Sequence, residues 1–154
     1  MRIVFSSMVI AGIALAGASS AVVAQGGKPA PVTIEQHAAT MKTIAQNAQA
    51  FNKSANGGDT AAAMAAAEAL SAAFTTVETF YTQRNKPEAI TLAQTAKMGA
   101  QDAVAALKAG DVMKAQASIK SAQGTCAQCH KMLRDGDGKT APYSFKADSG
   151  ITAP

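Results

Sequence analysis

Three short breaks divide residues 33–134 into four segments of nearly equal length. The breaks read NGGD at 56–59, RNKPE at 84–88 and GD at 110–111, and each joins residues that end one helix to residues that start the next. Between the breaks, alanine and larger apolar residues recur every three or four positions, which is the period of an amphipathic helix. Short connections between such helices favour antiparallel neighbours. The sequence therefore predicts an all-α fold, an antiparallel up-down-up-down four-helix bundle over residues 33–134.

Residues with strong preferences for helix ends set the expected limits. Thr33 and Gln36 have the spacing of a capping box, so the first helix should run from Thr33 to about Lys53. The second helix is expected from Thr60 to about Arg84, the third from Pro87 to Gly110, and the fourth from Asp111 to about Arg134. Residues 135–154 are rich in glycine, proline and aspartate, and are expected to form an irregular tail.

The first 24 residues have the composition of a secretory signal peptide. Arg2 precedes a long apolar stretch that ends in small residues, which offer a cleavage point before Gln25. The stretch approaches the ~20 residues of a membrane anchor, but its content of glycine, serine and alanine favours cleavage. Residues 1–24 are therefore predicted to be removed, which leaves a flexible leader at 25–32 and no membrane span in the mature protein. The predicted location is the bacterial periplasm, an oxidising compartment.

Both cysteines of the chain and one of its two histidines lie together in the predicted fourth helix. Cys126, Cys129 and His130 form the sequence C-x-x-C-H, which is the attachment sequence for c-type haem. On a helix these positions share one face, so both sulfurs can bind the two vinyl groups of one porphyrin while the imidazole reaches the iron. The motif predicts one covalent haem c near the C-terminal end of the last helix, with His130 as the proximal metal ligand.

Other interpretations of these residues are weaker. A thioredoxin-like redox pair requires a βαβ context, and the sequence offers no convincing strand. A structural zinc site needs a fourth ligand, for which only His37 is a candidate. A disulfide between Cys126 and Cys129 would close a short, strained loop. The remaining alternative is a helical bundle without haem, in which the two cysteines are thiols or form a disulfide.

The position of the motif on the last of four helices resembles the class II c-type cytochromes, the cytochrome c′ family. Arg134, four residues after His130, matches an arginine that commonly follows the motif there, and EQHAATMKTI at 35–44 resembles the start of the family's first helix. In the low-spin branch that helix supplies a methionine as the sixth iron ligand, and the resemblance places Met41 in this role. The resemblance covers roughly residues 33–134 and implies a four-helix haem bundle that often forms a homodimer.

Bundle geometry also favours Met41 as the second ligand. The start of the first helix is level with the end of the fourth, and side chains lean toward the N-terminus of their own helix, so Met41 and His130 lean toward each other. His37 would lean away from this level, although its imidazole could bind iron in place of Met41. A third possibility is an open iron, with Met41 packed in the core. The predicted metal ligands are His130 and Met41, and the haem is held by Cys126 and Cys129.

A haem iron with both axial positions filled suits one-electron transfer, and a methionine ligand raises its reduction potential. The predicted function is that of a periplasmic monohaem c-type cytochrome, which carries single electrons between redox protein partners through transient contacts. The alternative is a cytochrome c′-like protein with an open distal site for nitric oxide or carbon monoxide. No nucleophile–base pair or carboxylate pair in the sequence suggests an enzyme. The basic residues are scattered at a net charge of +4, which does not suggest nucleic acid as a partner.

Overall fold

The computed structural model describes residues 30–135 and 144–151, most of which are helical. The four long helices are α1 Ile34–Asn56, α2 Thr60–Thr82, α3 Pro87–Lys108 and α4 Val112–Leu133. Two short strands, β1 Arg134–Asp135 and β2 Ser144–Phe145, and a 3₁₀ helix, Ala147–Ser149, follow them. The predicted all-α class is confirmed. The predicted signal peptide, residues 1–24, lies outside the described residues.

Local hydrogen bonds begin the helices where the sequence predicted. The Thr33 hydroxyl accepts from the backbone N–H of Gln36, and the Gln36 side chain accepts from the backbone N–H of Thr33. This capping box is confirmed. Asp59 and Asp111 accept from backbone N–H groups in the first turns of α2 and α4, and Pro87 occupies the first turn of α3.

The ends of the helices differ from the predicted limits by a few residues. Helix α1 continues past Lys53 to Asn56. Helix α2 ends two residues before Arg84, because the chain turns through Asn85 in the left-handed region at a φ of 52°. Helix α3 ends before Gly110, whose φ of 78° is readily adopted by glycine.

Each helix packs against the next one in the sequence, and the pairs α1–α2, α2–α3 and α3–α4 share extensive contacts. Helices α1 and α4 touch each other at far fewer positions. Packing in sequence order is the architecture of a four-helix bundle with short connections. The least packed side of this bundle lies between α1 and α4.

Helix α2 supplies much of the core, and nine of its residues are buried between α1 and α3. Among the described residues it is the one helix long and apolar enough to cross a membrane by length and composition. Helices that pack in the core of a bundle pass the same test, because their buried faces are apolar as well.

The tail predicted to be irregular at 135–154 is ordered in its described part. Strands β1 and β2 pair in antiparallel fashion, with Arg134 opposite Phe145. Ser149 and Ile151 are buried, and Phe145 packs on the hydrophobic core. The composition of the tail did not reveal this order, because its apolar residues find their partners on helices that are distant in the sequence.

The last residues of the leader, predicted to be flexible, are fixed to the end of α2. The Gln83 side chain accepts a hydrogen bond from the Val32 N–H at 2.8 Å. The Arg84 guanidinium donates to the Val32 carbonyl oxygen at 3.0 Å. These bonds hold the residues before α1 against the residues after α2, at the same end of the bundle as the tail.

Candidate functional site

A cavity with apolar walls lies where all four helices meet near the C-terminal end of α4. Its volume is about 30 Å³, room for about two water molecules. It is lined by Met41 of α1, Phe74 and Val77 of α2, Leu92 and Ala93 of α3, and Thr125, Cys126, Cys129 and His130 of α4. The four site residues predicted from the sequence all lie on its wall.

Helix α4 brings three of these residues to one face by its periodicity. Cys129 and His130 follow Cys126 by three and four positions, so their side chains project from the same side of the helix as that of Cys126. All three are half-buried. The Cys126 thiol points back along its own helix and donates to the Ala122 carbonyl oxygen at 3.5 Å. The two sulfurs are not joined in a disulfide.

The Cys129 thiol contacts a residue that the sequence had not linked to the motif. Its Sγ donates to the Tyr81 Oη of α2 at 3.7 Å. Tyr81 is fully buried, and a buried tyrosine hydroxyl is normally hydrogen-bonded. No local signal connects positions 81 and 129, so only the packing of α2 near α4 shows this contact.

The surroundings of the motif keep its groups uncharged near pH 7. Burial raises the pKa of both thiols, and the nearby Cys129 raises that of Cys126 further. Burial lowers the pKa of the His130 imidazole, and the positive charge of Arg134 lowers it further. The imidazole is therefore neutral, which is the form that binds a metal.

Met41 reaches the cavity from α1, which packs against α4 far less than α3 does. Its side chain is half-buried and packs on the core. Met41 and His130 both line the cavity, one from α1 and the other from α4. The remaining wall is formed largely by apolar side chains of α2 and α3.

His37, the other candidate ligand, lies in a cluster of aromatic rings. Its ring stacks on Phe80 with centroids 4.1 Å apart and meets Tyr81 edge-on at 5.4 Å. The ring of Phe145 lies 5.5 Å away. Burial lowers the pKa of His37 to about 4, and the charges of Arg84 and His130 add to the effect. His37 is thus a neutral core residue on the same helix as Met41.

Arg84 packs on the outer side of the aromatic cluster. Its guanidinium carbon lies 3.7 Å from the centroid of the Phe80 ring, within the range of a cation–π contact. It also donates to the carbonyl oxygens of Phe80 and Val32. Arg84 therefore joins the end of α2 to the residues that precede α1.

The side-chain groups that line the cavity limit the kinds of molecule it can bind. Two thiols, a neutral imidazole and a thioether converge on apolar walls, with no carboxylate among the lining residues. Within residues 30–135 and 144–151, no three His, Cys, Asp or Glu side chains are grouped to hold a metal ion directly. The spacing of the two thiols and the imidazole is that of a c-type haem attachment sequence rather than of a four-ligand zinc site. A porphyrin is much larger than the cavity of about 30 Å³, so the helices would have to separate to receive it.

Comparisons of the chain with protein-family models, with curated proteins and with solved structures give no match.

Proposed function

We propose that the protein is an exported monohaem c-type cytochrome that transfers single electrons between redox partners. The proposal is supported by one observation above the others. The C-x-x-C-H residues of α4 line the same cavity as Met41 of α1, so two attachment points and two axial ligands surround one space. A resemblance to the cytochrome c′ family, seen in the motif and its place on the last helix, points the same way.

Cys126 and Cys129 attach the cofactor in this proposal. Each thiol would bind one vinyl group of the porphyrin through a carbon–sulfur bond, and its hydrogen would go to the other vinyl carbon, so the attachment would need no oxidant or reductant. Both thiols are protonated at neutral pH, because burial raises their pKa. Both sulfurs are used, and none is left for a disulfide.

His130 and Met41 are the proposed axial ligands. The His130 imidazole is neutral, so its lone pair is available. Met41 lines the same cavity, and a thioether ligand would favour the reduced state of the iron. When bound, haem would supply a one-electron iron couple. Phe74, Val77 and Leu92 would give the haem apolar surroundings.

A comparison of two methionine variants tests the ligand assignment. In Met41→Ala, we expect the ferric protein to lose the weak long-wavelength band of methionine sulfur bound to iron, and the ferrous protein to bind carbon monoxide readily. Met64→Ala is the matched control, because Met64 also packs on the core but lies near the start of α2, at the other end of the bundle. It should leave both properties unchanged.

Two outcomes contradict the assignment. An unchanged spectrum in Met41→Ala excludes Met41 as the ligand. A wild-type protein that lacks the band and binds carbon monoxide without any substitution supports the gas-binding alternative instead.

A further inference from the structure

Helices α1 and α4 have to be held at a defined distance from each other for the two proposed ligands to bind one iron. Met41 is on α1 and His130 is on α4, yet these two helices share the fewest contacts of the bundle's adjacent helices. Two ligands of one metal must be positioned within a fraction of an ångström. Direct packing of α1 on α4 is too sparse to do this.

The tail is firmly connected to α4. Strand β1 follows α4 without a break, and β2 pairs with it so that Phe145 lies opposite Arg134. The Lys146 N–H donates to the Leu133 carbonyl oxygen at 2.9 Å. The Lys146 ammonium donates to the Lys131 carbonyl oxygen at 2.8 Å. The position of Phe145 is therefore fixed relative to the end of α4.

The ring of Phe145 also contacts α1. Its centroid lies 5.5 Å from that of His37 and 5.7 Å from that of Phe80, on which it stacks. His37 precedes Met41 by four residues, so both side chains lie on the same face of α1. The contact between Phe145 and His37 thus links the end of α4 to the turn of α1 that leads to Met41.

We infer that Phe145 is a positioning residue for Met41: by packing on His37, it holds the start of α1 at the distance from α4 that methionine ligation needs. The inference rests on the proposed function. It assigns a role to the C-terminal tail, whose composition had indicated only irregular structure. Loss of the ring would shift the population toward states in which Met41 is off the iron.

Carbon monoxide binding to the ferrous holoprotein measures this population, because the gas competes with Met41 for one coordination position. Its apparent affinity rises in proportion to the fraction of protein in which Met41 is detached. In Phe145→Ala, the ring contacts with His37 and Phe80 are lost, and we expect an increase of about tenfold in that affinity. Phe145→Tyr keeps the ring and should restore the wild-type value.

Ile151→Ala is the matched control, since Ile151 is another buried apolar residue of the tail. It should lower stability without raising carbon monoxide affinity. Amide hydrogen exchange gives a second measurement. Phe145→Ala should speed exchange at residues 37–41 more than elsewhere, whereas a general loss of stability would speed it throughout the bundle.

The inference is overturned if Phe145→Ala keeps wild-type carbon monoxide affinity, or if Ile151→Ala raises the affinity equally. Failure of the proposed function is distinguishable, because it is seen in the wild-type protein. A wild-type protein that carries no haem, or whose iron lacks methionine, contradicts the proposed function before any variant is made.

Discussion

The two ends of the bundle are packed with different kinds of side chain. Around the end of α1, the start of α2, the second half of α3 and the first half of α4, most buried residues are alanines, and Phe51 is the one buried aromatic residue described at this end. At the other end, Phe74, Phe80 and Tyr81 are buried and Phe145 is added from the tail. Only this second end contains the cavity that Cys126, Cys129 and His130 line.

Alanine packing brings helices close together, and larger side chains hold them apart. A Cβ atom on Gly99 of α3 would lie 3.0 Å from the Ser118 carbonyl oxygen of α4, so these helices almost touch there. Toward the end of α4 the helices surround a cavity instead. One bundle thus combines a closely packed end with an end that contains a cavity, where we propose that haem binds.

The same substitution at each end of the bundle should give the largest difference in haem content. Ala93 lines the cavity, and Ala100 is seven residues later on the same face of α3 and fully buried. Ala93→Leu should fill the space and abolish covalent haem loading, measured as the haem content of the purified protein. Ala100→Leu should destabilise the bundle by about 1–3 kcal/mol through overpacking, yet keep its haem. Equal haem content in the two variants would contradict the distinction between the ends.

The buried His37 should give the aromatic end a pH dependence. Its pKa is about 4 in the folded protein and 6.5 ordinarily, so only the unfolded chain binds the proton between these values. The free energy of unfolding should therefore fall as pH is lowered from 6.5 to 4, by about 3 kcal/mol from this residue. Urea unfolding of wild type and His37→Phe across this range measures the contribution. Parallel curves for the two proteins would show that His37 does not contribute.

Helix caps at the two ends should give the smallest effects. Thr33→Ala removes a cap beside the site, and Asp111→Ala removes one at the alanine end, where Asp111 accepts from the Lys114 N–H at 2.9 Å. Each variant should lose about 1 kcal/mol of stability. Thr33→Ala alone should also speed amide exchange in the first turn of α1. Equal exchange there in both variants would mean that the ends are not independent.

The sequence predicted the helices well, because local chemistry determines them. Thr33, Asp59 and Asp111 cap the helices where expected, and Pro87 starts the third. The errors lie at helix ends. There, φ values such as that of Asn85 depend on how the chain turns into the next helix, which the periodicity of apolar residues does not specify.

The site was only partly accessible from the sequence. Cys126, Cys129 and His130 are close in the chain, and helical geometry alone places them together. Met41 was placed from bundle geometry and the family resemblance, and it does line the same cavity. The contacts of Tyr81 with Cys129 and of Phe145 with His37 join segments distant in the sequence, so no local pattern indicated these pairs.

The covalent attachment of haem is the central claim, and the intact mass of the denatured protein tests it most directly. The protein should be produced in a host competent in c-type haem attachment, beside a Cys126→Ala/Cys129→Ala variant. We predict that the wild-type mass equals the polypeptide plus one haem, and that the double variant has the mass of the polypeptide alone. A wild-type mass without haem would contradict the account.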